Sequence, residues 1–112
     1  MHAERSLGIV LTHADTDAVQ AAFMFAAGAA ALGRQVWLFA TGNGVLALTQ
    51  EQQPPFVVEL RDACCALGVR LSACPSGLVQ TGLSAGKLMA GASEDGLASF
   101  LEATRDAQLI SF

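Results

Sequence analysis

The chain has 112 residues, 53% of them hydrophobic and only 14% charged, with a formal net charge of −4. That length supports one core, and about 25% charged residues is usual, so part of the apolar surplus must be hidden inside a doubly covered sheet or between subunits. With no run of Lys or Arg, a nucleic-acid or anionic-membrane partner is disfavoured.

Glu4 and Arg5 lead into a short apolar stretch and not into the long apolar core of an export signal. Leu7 to Thr12 (LGIVLT) is apolar without alternation, as in a strand buried on both faces. His13 to Asp17 follows, with acidic and hydroxyl side chains suited to helix capping. Ala18 to Leu32 predicts an Ala-rich helix closed by Gly33. The uncharged run Ala18 to Gly33 is shorter than the ~20 residues of a membrane span. Val36 to Ala40 is a second buried strand, ending in Thr41-Gly42-Asn43-Gly44. Val45 to Leu48 predicts one helical turn, and Thr49 to Pro55, polar and closed by two prolines, is a loop.

Phe56 to Leu67 predicts a helix with Phe56, Leu60, Cys64 and Leu67 on its apolar stripe and Gly68 as its stop. Val69 to Ala73 is a third strand. Pro75 suits the first position of a helix, which places Cys74 at the N-cap, between a strand's carboxyl end and a helix's amino end. Leu78 to Met89 predicts two short helices about a turn at Gly82, and Ala90 to Ser93 a brief edge strand. Leu97, Phe100, Leu101 and Thr104 share helical spacing within Asp95 to Asp106, and Gln108 to Phe112 is the last strand.

Strands alternating with helices predict one α/β domain over residues 1–112: three layers, α/β/α, with a mainly parallel sheet of about five strands. Ligands of such sheets bind beyond the strands' carboxyl ends. His13, Thr41 to Gly44 and Cys74 to Gly77 all lie there, so the site is expected among them. Unpaired N–H groups at Cys74 would favour its thiolate, the reactive form. Ser76, Gly77 and the Gly42-Asn43-Gly44 turn are the groups placed to bind the anion or a ligand, and His13 is a general base only if it reaches the thiol.

Other motifs fall short. Gly42 to Ala47 fits G-x-G-x-x-A, but it follows the second strand, and the acid expected on the ribose would be Asp62, inside a helix. Gly82 to Lys87 (GLSAGK) is one residue too short for a phosphate loop and is followed by Leu88 where Ser or Thr is needed. Cys64 belongs to the core stripe and Cys65 points elsewhere. Three cysteines, two of them adjacent, make no disulfide framework, so the expected compartment is the cytoplasm. With two histidines and no clustered ligands, no metal is expected.

Taken together, LGIVLTHADTD, the Ala-rich helix running into AALGRQVWLFATGNGV, LGVRLSAC, TGL and the ending GLASFLEATRDAQLISF resemble the DsrE/DsrF-like family of sulfur-relay subunits, which includes the TusD and YchN types. The resemblance runs from Leu7 to Phe112. It implies a small protein that accepts sulfur as a persulfide on Cys74 and passes it to a partner thiol, with no cofactor. It also implies a homo-oligomer, trimer or hexamer, served by sulfur donor and acceptor proteins. Some members carry a second cysteine three residues on, where this chain has Gly77, so an external thiol must release the sulfur. Others lack the cysteine and act as partner subunits, which leaves a non-catalytic ligand-binding or scaffold role as the alternative.

Overall fold

The first strand, β1 (Leu7–Leu11), is almost wholly buried, which is why LGIVL shows no alternation. The computed structural model describes residues 5–50 and 53–112. Asp15 caps α1 (Thr16–Ala31), accepting from the Ala18 N–H at 3.1 Å. The chain leaves this helix through Gly33, whose φ of 91° is in the left-handed region. Strand β2 (Val36–Ala40) is buried at every position.

A 3-10 segment, Gly42–Leu48, follows, longer than the single turn expected. Gly42 opens it at φ 55°. A Cβ on Gly44 would overlap the Leu11 carbonyl oxygen, so the turn lies against the end of β1 as only glycine permits.

Helix α2 (Pro55–Ala66) keeps Leu60 and Cys64 of the expected stripe on the core and corrects its two ends. Val57, Arg61 and Cys64 are buried, while Phe56 and Leu67 are 42% and 45% exposed. The phase is set by Arg61, which donates to the carbonyls of Ala47 (3.0 Å) and Thr49 (3.3 Å) at the end of the 3-10 segment. Hydrophobic periodicity has no means of putting an arginine inside.

Strand β3 (Arg70–Ala73) leads through Cys74 into α3 (Pro75–Gln80), a turn at Gly82, a 3-10 turn at Ala85–Lys87 and the short strand β4 (Ala92–Glu94). Helix α4 (Leu97–Ala103) crosses to β5 (Gln108–Ser111). The sheet order is β4-β3-β2-β1-β5, and every strand pairing is parallel.

The two faces of the sheet are covered unequally. Leu7, Ile9, Leu11, Leu38, Ala40, Leu71 and Ala73 face α1 and α2 in the main core, which also takes Leu78 from α3. On the opposite face Trp37, Phe39, Cys74 and Phe100 form a second cluster. Phe100 of α4 stacks on Phe39 at 4.8 Å and meets Trp37 edge-on at 5.4 Å. The Trp37 indole N–H donates to the buried Ser72 hydroxyl. Of the four expected α4 core positions only Phe100 and Thr104 are buried; Leu97 and Leu101 are about half exposed. Phe100 is, among the described residues, the one helix residue in this second cluster, which leaves the flanks of the two-turn helix uncovered. Among the described residues no helix is long and apolar enough to cross a membrane.

Candidate functional site

Cys74 ends β3 with its N–H on the Ala40 carbonyl at 2.8 Å and adopts extended N-cap geometry ahead of Pro75. Lying two residues beyond Ser72, it directs its thiol to the α4 face, where it is 7% exposed beside Phe39 and Phe100. Burial there pushes the thiol pKa up. The backbone N–H groups of Gly77 and Ser76 and the hydroxyls of Thr41 and Ser76 outweigh it, and the net shift is downward. The neutral thiol makes no capping hydrogen bond, so these donors act on the thiolate as it forms.

The other two cysteines differ in kind. Cys64 is fully buried on α2, where desolvation and the neighbouring Cys65 push its pKa up to about 12. Cys65 is exposed and also raised, by burial of its sulfur and by Asp62. Both sit across the sheet from Cys74, and all three thiols are free.

Gly77 is part of the fit. A Cβ there would lie 2.7 Å from Val45 Cγ1 and 2.9 Å from the Gly42 backbone nitrogen. The start of α3 therefore rests directly on the glycine turn, which leaves no room for a second cysteine. Gly44 directs its N–H to the Thr41 carbonyl at 3.0 Å, so that donor of the expected anion-binding turn is already engaged. Asn43 and Ser76 are exposed at the rim.

His13 stands apart. It is exposed, its ring nitrogen Nδ1 is 2.9 Å from the Thr12 hydroxyl, and β2 lies between its strand and that of Cys74. The geometry does not bring it to the thiol. Thr41 holds the place instead; the sequence put it within the expected site without giving it a role. Its signal was the register: Ala40 pairs with Ala73, so Thr41 comes level with Cys74, two residues on from Phe39 and on the same face.

Cys74 thus stands at the carboxyl edge of a five-stranded parallel sheet. The model of the DsrE/DsrF-like family matches residues 5–112. The chain belongs to that family. Among solved structures, the ychN protein from E. coli superposes with a TM-score of 0.85 at 18% identity, covering 96% of this chain and 99% of that one. The protein of unknown function MTH1491 from Methanobacterium thermoautotrophicum gives 0.82 at 17%, with 96% and 99% covered. BT1422 from Bacteroides thetaiotaomicron, also of unknown function, gives 0.63 at 16%, with 96% and 95% covered. At these identities the likeness is one of fold. No curated protein sequence matches.

Proposed function

We propose that this DsrE/DsrF-like chain, acting as one domain over residues 1–112, is a sulfur carrier that takes up sulfur as a persulfide on Cys74. The observation behind this reading is that Cys74 alone of the three thiols has its pKa lowered, by donors arranged at the strand's end. The Cys74 thiolate attacks the outer sulfur of a donor persulfide; one S–S bond forms as the donor's breaks, and the donor leaves as a thiolate. An acceptor thiolate reverses the exchange, with no net oxidation and no cofactor. Gly77 and Ser76 donate to the terminal anion, with Thr41 as a third partner. Cys64 and Cys65 are across the sheet, so the acceptor thiol is external.

The half-exposed Leu97, Leu101 and Leu109 fit a homo-oligomer, trimer or hexamer, with cytoplasmic donor and acceptor proteins. Light scattering showing a monomer over a wide concentration range would contradict that assembly. The chemistry is tested by intact-mass analysis after incubation with a persulfide donor. Wild type should gain one sulfur atom, mapped to Cys74. Cys74→Ser, which still caps α3, should gain none while keeping the fold. Uptake at Cys65 would overturn the mechanism through Cys74, and no uptake at all would favour the non-catalytic ligand-binding or scaffold role.

A further inference from the structure

A cavity of about 360 Å³ opens at the opposite end of the sheet from Cys74, lined by the amino ends of β1, β2 and β3 and the last turn of α4. Nothing in the sulfur chemistry uses it. Its volume is near the lower end of small-molecule sites, which commonly span ~300–1,000 Å³. Leu7, Val36, Trp37 and Ala103 give it apolar walls, and Arg70 lines it as its cation.

Four of the chain's five arginines line the cavity or adjoin a lining residue in sequence. The chain has six Lys and Arg and a net charge of −4. Arg5, Arg34 and Arg105 nevertheless adjoin the lining residues Ser6, Gln35 and Thr104, and Arg70 lines the cavity itself. Glu102, paired with Arg105 at 3.4 Å, and Asp106 offset part of this. Arg70 is held in place before any ligand arrives. Its guanidinium carbon lies 3.7 Å over the Trp37 ring, and one nitrogen meets Asp95 at 3.2 Å, itself fixed by the Ser93 hydroxyl at 2.8 Å. A planar fork oriented this way retains N–H groups for a second carboxylate. Because Asp95 already balances one charge, a monoanion suits the site better than a phosphate dianion.

We propose that this cleft binds a small organic monocarboxylate, its carboxylate on Arg70 and its apolar body against Trp37 and Ala103. The chain's single tryptophan reports on the site, and there is no tyrosine to compete. Titration with benzoate, followed by Trp37 emission at low ionic strength, should give a saturable change that added salt weakens. Benzyl alcohol, of similar shape without the charge, should bind at least about tenfold more weakly, as should benzoate to Arg70→Gln. Since Arg70→Gln also alters the surroundings of Trp37, Ala103→Leu provides an independent arm: it fills the cavity from an exposed helix position and should block benzoate without shifting the melting curve. Equal binding of benzyl alcohol, unchanged binding in both variants, or no saturable response would overturn the proposal. Cys74→Ser should titrate with benzoate as wild type does, so this site and the sulfur chemistry succeed or fail separately.

Discussion

Gly77→Ala probes the contact that positions the thiol. The added methyl would press on Val45, which is fully buried, and on the backbone nitrogen of Gly42, which a left-handed turn holds in place. Neither neighbour is the free end of a flexible side chain, so relief requires α3 to shift away from the turn. Overpacking of this kind costs about 1–3 kcal/mol. At ~2.1 cal/mol/K per residue, 112 residues have an unfolding entropy of roughly 0.24 kcal/mol/K, so the midpoint should fall by roughly 4–13 °C. The same shift withdraws the Gly77 N–H from Cys74, so the thiol pKa should rise and alkylation by iodoacetamide near neutral pH should slow. Thermal melting and alkylation rate are to be measured together, at one protein concentration. Gly28→Ala is the control: nothing lies within 4 Å of its added methyl, and in mid-helix it should stabilise by about 0.5–1 kcal/mol without touching the thiol. If Gly77→Ala melts with wild type and Cys74 reacts at an unchanged rate, the close approach of α3 to the turn is not what holds the thiolate.

Four further outcomes are expected. Alkylation mapped by peptide mass near neutral pH should label Cys74 first, since its pKa is lowered while Cys65 is raised and Cys64 is pushed up to about 12; faster labelling of the exposed Cys65 would contradict this. Cys64→Ala should cost about 1–2 kcal/mol in urea denaturation through a lost core contact, and spare sulfur uptake. The same residue should make wild type lose stability as pH rises from 9.0 towards 12, because the unfolded chain releases this proton before the folded one does; Cys64→Ala should flatten that decline. Ser72→Ala should leave the Trp37 indole N–H unpaired in a buried site, costing about 1–3 kcal/mol, with a shift in tryptophan emission to confirm the cause.

The strands and the turn that puts Cys74 at a helix start were legible because each rests on local chemistry. LGIVL and VWLFA are apolar at every position, which only a strand covered on both faces requires. Pro75 behind a short apolar run is enough to put Cys74 at a helix start. The phase of α2 was not legible: the buried Arg61 satisfies carbonyls at Ala47 and Thr49 that are distant in sequence, and its charge reads as solvent-facing. Nor were the half-exposed flanks of α4, whose helical spacing cannot tell that among the described residues no second helix packs into its cluster.

The site divides along the same line. By itself the sequence determined that a thiol stands between a strand and a helix in a parallel α/β chain, since turn and cap chemistry act over a few residues. Only the tertiary structure decided which groups surround it. Strand order sets His13 two strands away, register brings Thr41 level with Cys74, and the contact of Gly77 with Gly42 removes the space a second cysteine would need. These are relations between segments far apart in the chain, and they exist only once the sheet has closed its order.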